Sequence, residues 1–343
     1  MLALGISDIL RDKNDKMSDA AGICAEVGII VYPDVQMAGV EGLTDLFRIA
    51  GERSAARAGP NAPPVIRVSH WRVGDDGAIV CSFDSHPCTP NRPAYLIAPP
   101  SLVLPLSRPG LNAIAAWMGE WHGRGATLCS VCAGSFVLGE TGLLNRRAIT
   151  THWAFATAMA ERFPEVQVEP ARMIIDDGDI ITAGGILAWI DLGLTLVGRL
   201  ISPRIMLDTA RFLIVDPPGR AQQAYAMFTQ RLDHGDAAIL KVQHWLQATA
   251  AKDHSIPRLA EIAALEPRTF LRRFRKATGF KPTEYAQQIR IAKAREALEF
   301  NRKPVEQIAF EVGYGDPSAF RRLFQRVTGL SPADYRRRFS IAA

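Results

Sequence analysis

The sequence predicts a chain of two parts: an α/β domain built around a parallel sheet, followed by an all-α domain with two tandem helix-turn-helix motifs. Three observations support this prediction. Short β-branched runs alternate with helix-period segments over roughly the first two thirds of the 343 residues. A pattern of apolar, glycine and proline residues recurs at a spacing of 50 near the C-terminal end. Basic charge is concentrated there, because residues 258–343 carry 18 Lys and Arg against 9 Asp and Glu, whereas residues 1–257 carry a net charge of −4.

Composition excludes several classes of protein. A hydrophobic content of 48% in a chain of this length predicts two or more domains with real cores. The sequence has no uninterrupted apolar run of about 18 residues, so no membrane-spanning helix and no membrane partner are predicted. Five cysteines form an odd set that favours a reducing cytoplasm. Residues 1–22 lack the features of a signal peptide and are predicted to be a disordered leader.

The α/β domain is predicted over residues 23–215, and its periodicity changes between strand and helix along the chain. The hairpin signal at 176–179 predicts a small antiparallel edge, and 182–200 is predicted to form a buried helix. The other predicted elements are a strand at 26–32, a helix at 40–50, strands at 65–68, 78–83 and 95–98, a helix at 111–122, a strand at 126–131 and a helix at 135–141.

The DNA-binding module is predicted over residues 235–340, after a linker at 216–234 that begins with VDPPG. In the second motif Gly313 suits a tight turn, Asp316 is a good N-cap, and Pro317 suits the first helical position. One face of the helix that follows is apolar and the other is rich in arginine, as a helix in a major groove requires. The residues Phe270, Phe274, Thr278, Gly279, Pro282 and Tyr285 lie 50 positions before Phe320, Phe324, Thr328, Gly329, Pro332 and Tyr335.

Candidate DNA contacts follow from position on these two helices. Early outward residues of such a helix usually meet base edges, whereas later ones meet phosphates. An ordinary solvated face in a helical bundle is the alternative interpretation. The base-edge candidates are Arg268, Thr269, Arg272, Ser318, Arg321 and Arg322, and the backbone candidates are Arg275, Gln325 and Arg326.

With the segment GYGDPSAFRRLFQRVTGLSPADYR, the repeat resembles the AraC family of bacterial transcription regulators over about 100 residues. The resemblance implies sequence-specific binding to double-stranded DNA, contact with RNA polymerase, and in most relatives activation of transcription. Such a chain would lie in the cytoplasm, associated with the nucleoid.

A second feature of interest is Cys132, which follows a predicted strand and precedes a glycine-led helix. A thiol on a sharp turn at a helix N-terminus can have a lowered pKa, and His152 offers an imidazole twenty residues later. Three interpretations stand open for this pair: a buried structural thiol with a satisfied histidine, the lining of a ligand pocket, or thiolate catalysis. The spacing of Cys129 and Cys132 gives no second pair, so no metal site is predicted.

The segments SVCAGSFVLGETGLLNRRAITTHW and ITAGGILAWIDLGL resemble the glutamine-amidotransferase-like PfpI domain, which implies a flavodoxin-like α/β sandwich. In its enzymatic relatives the cysteine works with a histidine and with an acid from the loop after the first strand. Here no carboxylate stands near Ala38 and Gly39, and Glu41 is one or two residues out of place. Cys132 and His152 are therefore predicted to be vestigial, and Cys132, Ala133 and His152 are candidate residues of an effector pocket.

The combined prediction is a homodimeric DNA-binding regulator controlled by a small-molecule effector, without cofactor or metal. Regulators with this pairing of domains resemble those of arginine, carnitine and betaine catabolism, which points to an amino-acid or quaternary-amine effector. The alternative is a cysteine-dependent hydrolase or hydratase of the isonitrile hydratase type that carries a DNA-binding tail. An architectural DNA binder is disfavoured by the large α/β domain.

Overall fold

The computed structural model describes residues 23–58, 65–87, 90–104 and 109–341, so the leader predicted at 1–22 lies outside the described residues. The chain divides into two compact units between Gln222 and Gln223, inside the segment for which the sequence predicts a linker. In the described ranges no helix is both long enough and apolar enough to cross a bilayer.

The first unit is built on a seven-stranded sheet with the order β3-β2-β1-β4-β5-β9-β8. The five central strands are parallel, and both outermost strands are antiparallel to their neighbours. The parallel core has the flavodoxin-like order, which confirms the predicted fold class. The strands are β1 (Ile23–Val31), β2 (Val65–Val73), β3 (Ile79–Asp84), β4 (Pro93–Ala98), β5 (Thr127–Val131), β6 (Ala148–Ile149), β7 (Gln167–Val168), β8 (Ile174–Asp176) and β9 (Ile180–Ala183).

Helices cover both faces of this sheet, so its central strands are buried, whereas the edge strand β3 is largely exposed. One face packs against α1, α5 and α6, and the other against α2, α3 and α4. The helices are α1 (Met37–Ala58), α2 (Pro109–Gly123), α3 (Gly134–Gly139), α4 (Ala156–Arg162), α5 (Trp189–Leu200) and α6 (Pro203–Leu213). The helix predicted at 182–200 starts too early, because Thr182 and Ala183 pair with β5 in the sheet.

Gln222, the last residue of this unit, is held by its side chain. The amide nitrogen Nε2 donates to the Thr151 carbonyl and to the Arg172 carbonyl, both at 2.9 Å. The amide oxygen accepts from the Trp153 backbone nitrogen at 3.3 Å. The side chain occupies the space beside Gly184, where a Cβ would come within 1.8 Å of Nε2. The end of the unit is therefore attached to the loop that carries His152.

The second unit is all-helical and has two separate apolar cores, as expected for tandem motifs. The long helix α10 contributes Ile289 to the first core and Ile291 to the second, so it is the element that the two halves share. The helices are α7 (Ala237–Ala248), α8 (Ile256–Ile262), α9 (Pro267–Thr278), α10 (Pro282–Phe300), α11 (Val305–Glu311), α12 (Pro317–Thr328) and α13 (Pro332–Phe339).

The two motifs repeat each other in local geometry. In each, a tyrosine packs edge-on against a phenylalanine at 5.3 Å: Tyr285 on Phe274, and Tyr335 on Phe324. The glycines that end α9 and α12 have φ values of 79° and 75°, the left-handed conformation that favours glycine. The 50-residue repeat therefore encodes one structural unit twice.

The first turn departs from the repeat at Ala264, which has φ 53° where the second turn has Gly313 at φ 90°. A left-handed alanine costs roughly 1 kcal/mol relative to glycine. Ala264→Gly should therefore raise the free energy of unfolding by about 0.5–1 kcal/mol, measured by urea titration of the purified chain. Ala263→Gly is the matched control, since Ala263 has φ −72° and the change should destabilise. Equal effects of the two changes would contradict the prediction.

Candidate nucleic-acid interface and cysteine elbow

The second reading helix, α12, begins at a well-formed cap. The Asp316 carboxylate accepts hydrogen bonds from the backbone nitrogens of Ser318 at 2.8 Å and Ala319 at 3.0 Å. These bonds lower the pKa of Asp316, so the cap stays charged at neutral pH. Behind the helix Phe320 and Phe324 are fully buried. The opposite face is exposed and carries the predicted residues Ser318, Arg321, Arg322, Gln325 and Arg326.

The first reading helix, α9, presents a matching surface. Phe270 and Phe274 are fully buried, and the predicted cations on the other face, Arg268, Arg272 and Arg275, are exposed. None of these three arginines forms an ion pair with a described residue. Thr269 lies half-buried between them. Their contact with DNA stays a prediction. Because they are exposed and no described carboxylate pairs with them, they are available to bind a partner.

Arg273 on the same helix has a different role. Its guanidinium binds the Asp236 carboxylate through two hydrogen bonds, at 2.7 and 2.9 Å. Asp236 also caps α7 by accepting from the Ile239 nitrogen at 3.2 Å. Arg273 therefore joins α9 to the start of α7 instead of facing a partner.

Two candidate arginines of α12, unlike the three candidate arginines of α9, have carboxylate neighbours among the described residues. Arg321 is paired with Glu306 on α11, the first helix of the second motif. Arg322 lies 3.9 Å from the Asp316 carboxylate, at 74% side-chain exposure. The sequence indicates neither pairing, although Asp316 is a predicted N-cap and Glu306 is exposed on α11. In the second motif, DNA phosphates would therefore compete with these two carboxylates for Arg321 and Arg322.

Removing that competition should strengthen binding to DNA. Glu306→Gln should raise affinity for duplex DNA about 2- to 5-fold at low salt, because an exposed ion pair contributes about 0.2–1 kcal/mol. Fluorescence anisotropy with a labelled duplex measures the effect. Glu311→Gln is the charge-matched control, since Glu311 is on the same helix and pairs with Lys303. If the gain persists after Arg321→Ala, the ion pair is not its cause.

In the first unit, Cys132 forms a strained elbow between β5 and α3. Its φ is 54°, a left-handed value that is uncommon outside glycine. Its carbonyl accepts hydrogen bonds from the hydroxyls of Ser135 at 2.9 Å and Thr151 at 2.8 Å, which hold the turn. The helix can begin directly after it because Gly134 has no side chain, and a Cβ there would lie 2.1 Å from the Ala98 carbonyl oxygen.

The expectation of a lowered thiol pKa at this elbow is wrong. Cys132 is 1% exposed and Ala133 is fully buried, so both belong to the apolar core. Burial raises the pKa of the Cys132 thiol to about 12, and a backbone hydrogen bond at Ala133 offsets only part of this. Desolvation therefore outweighs the dipole of a helix only six residues long.

The other members of a catalytic set are not assembled at this thiol. His152 caps a short 3-10 helix, with its Nδ1 accepting from the Ala154 nitrogen at 3.1 Å, and burial lowers its pKa. Among the described residues it has no hydrogen bond to Cys132. A Cβ at Gly39 would lie 3.0 Å from the Pro100 ring, a tight contact that would require the ring to shift. Glu41 is exposed.

Comparison with known families agrees with these two units. Residues 259–338 match a helix-turn-helix domain family, and residues 107–199 match the DJ-1/PfpI family. The chain combines an AraC-type helix-turn-helix domain with a domain of the DJ-1/PfpI family.

Among curated proteins, two similar relatives are transcriptional regulators. The HTH-type transcriptional regulator GlxA of Rhizobium meliloti is 30% identical over 55% of this chain and 59% of its own length. The HTH-type transcriptional regulator CdhR of Pseudomonas aeruginosa is 27% identical over 59% of this chain and 60% of its own length. An isonitrile hydratase of Pseudomonas putida is 40% identical over 24% of this chain and 34% of its own length. The chain thus spans about three fifths of the length of the two regulators.

Proposed function

We propose that this chain is a sequence-specific, DNA-binding transcription regulator. The observation that carries the proposal is the duplicated reading helix: α9 and α12 are buried on one face by paired phenylalanines and expose arginines on the other. Two such helices in one chain suit two neighbouring major-groove segments of a duplex. The relatives GlxA and CdhR are transcriptional regulators, which supports the same function. By the same resemblance the regulator is an activator that contacts RNA polymerase in the cytoplasm, at the nucleoid.

The α/β unit is the proposed sensor of a small-molecule effector, and a homodimer is the proposed assembly. Ligands of open α/β sheets bind beyond the carboxyl ends of the strands, the edge at which Cys132 lies. The loop at that edge bonds to Gln222, which directly precedes the DNA-binding unit in the chain. An effector that favours one position of this loop can therefore act on the linker. An amino acid or a quaternary amine is the proposed effector class.

A catalytic role for the elbow is not part of the proposal. A thiolate nucleophile needs a lowered pKa or an adjacent base. At Cys132 the pKa is raised by burial, and His152 makes its hydrogen bond to a backbone nitrogen. The similarity to an isonitrile hydratase covers about a quarter of the chain. It is consistent with a domain that keeps the fold for binding and has lost the reaction.

The test of the proposed function is selection from a random double-stranded DNA library by the purified full chain. A regulator of this type should enrich a two-part sequence, with half-sites separated by about one helical turn, and should prefer it at least 1000-fold over bulk DNA at moderate salt. Failure to enrich any sequence would reject the proposal. The enriched sequence then locates target genes and hence the effector candidates.

A further inference from the structure

Arg290 is a buried arginine in the middle of α10 whose role nothing above explains. It is 8% exposed, although the guanidinium is charged at all physiological pH values. It lies between Ile289, which belongs to the first core, and Ile291, which belongs to the second. Its position is therefore the boundary between the two helix-turn-helix halves.

The guanidinium holds the first half through the loop between α7 and α8. Nε and Nη2 donate to the Ala251 carbonyl at 3.1 and 2.7 Å, and Nη2 also reaches the Lys252 carbonyl at 3.1 Å and the His254 Nδ1 at 3.2 Å. Ala250 and Ala251 have φ values of 56° and 52°, in the left-handed region that alanine rarely adopts. The bonds from Arg290 stabilise that strained loop.

The same guanidinium also holds the second half, through the turn between α11 and α12. Nη1 donates to the Gly313 carbonyl at 3.1 Å, and the Tyr314 ring lies 5.5 Å from the Cζ atom. A Cβ at Gly313 would be 3.1 Å from Cζ, so the turn approaches this closely only because residue 313 is glycine. One side chain thus joins the loop before the first motif to the turn inside the second.

We propose that Arg290 is a positioning residue that sets the register between the two reading helices and hence the half-site spacing that the protein accepts. The inference rests on the proposed function. Among the described residues, α10 is the helix that contributes to both cores, so rotation or bending at its centre would shift α12 relative to α9. Arg290 opposes that motion with bonds to both sides. It specifies spacing without touching DNA.

The experiment uses the DNA sequence selected by the wild-type full chain and duplexes in which the two half-sites are moved closer or farther by one base pair. Each base pair rotates one half-site by about 35° relative to the other. Wild type should lose at least 10-fold in affinity for either change. Arg290→Met should bind the selected duplex at least 10-fold more weakly, and its affinity should vary less than about 3-fold among the three spacings.

Arg295→Met is the matched control. Arg295 is also a buried arginine of α10, but it bonds to the Gln223 and Ala226 carbonyls and lies over the Tyr335 ring, whereas the two loop carbonyls held by Arg290 are not among its partners. Its loss should lower stability and leave the spacing preference of wild type intact. If Arg290→Met does not melt cooperatively, Arg290→Lys disturbs the same contact more mildly and should also flatten the spacing preference.

The outcomes separate the two proposals. A folded Arg290 variant that keeps the spacing preference of wild type overturns the positioning role and leaves the proposed function standing. A wild-type chain that selects no two-part sequence overturns the proposed function first. Equal flattening by Arg295→Met would assign the effect to general loosening of α10, which also rejects a specific role for Arg290.

Discussion

Arg272→Ala should weaken binding to the selected DNA sequence by about 1–3 kcal/mol, roughly 5- to 150-fold, and should relax the preference at one base pair. Arg272 is exposed on α9 and has no ion pair with a described residue. Its guanidinium can therefore contact a base edge without first breaking an ion pair. A bidentate contact of arginine with guanine would account for a loss of this size. Anisotropy titrations against the selected duplex and its single-base variants measure both quantities.

Arg302→Ala is the control for charge. Arg302 is an exposed arginine of the same unit, in the loop between α10 and α11 and off the reading helices. Arg302→Ala should lower affinity by a similar factor for all sequences, and by a smaller factor than Arg272→Ala does for the selected sequence. If Arg272→Ala weakens all sequences equally and only lowers the salt dependence, Arg272 contacts phosphate, and the base-edge assignment is wrong. The same series on Arg268 and Arg322 would map the two helices.

The helical unit could be predicted closely because local chemistry and packing agree there. Helix α7 begins at Ala237 because Asp236 caps it, and its apolar period is regular. The repeated Thr-Gly-x-x-Pro segments likewise place the ends of α9 and α12, where a left-handed glycine is required. At such positions one residue type is strongly favoured by backbone geometry, and the sequence alone shows it.

In the α/β unit the hydrophobic pattern of the sequence was a poorer guide to the helices. Helix α6 was not predicted, although Ser202 caps it and Pro203 occupies its first turn. The run at 182–200 was predicted as one helix because a buried strand and a buried helix are both apolar. The start of this run forms a strand because it pairs with β5 in the sheet, where Thr182 lies opposite Ser130.

Side-chain partners distant in sequence are harder still to foresee. Nothing in the spacing of Glu306 and Arg321 shows that the two will pair, because the pairing depends on how α11 crosses α12. Arg290 gives no signal either, since its acceptors are backbone carbonyls. The expected lowering of the Cys132 thiol pKa was wrong for a related reason. A motif shows that a helix follows, whereas burial depends on the whole fold.

Cys132 in the native chain should resist alkylation by about three orders of magnitude relative to an ordinary thiol at pH 8. Its pKa is raised to about 12 from 9.0, which reduces the reactive thiolate roughly 1000-fold, and 1% exposure restricts access further. The rate should rise about tenfold per pH unit up to pH 10. Because the folded state favours the neutral thiol, the same shift lowers stability as pH rises above about 9. Peptide mass spectrometry after timed exposure to iodoacetamide measures the rate at this residue.

The control is the same chain in concentrated guanidinium chloride, where Cys132 should react like any free thiol. A catalytic elbow gives the opposite result: native Cys132 would react at pH 7, and faster than in the unfolded chain. That outcome would revive the hydratase or hydrolase alternative, because it requires a thiolate stabilised by a neighbour that the structure does not show. A slow native rate together with intact effector response in Cys132→Ala would instead limit the cysteine to packing at the end of β5. The α/β unit would then act through binding alone, with Thr151 and Gln222 as the route from that edge of the sheet to the start of the DNA-binding unit.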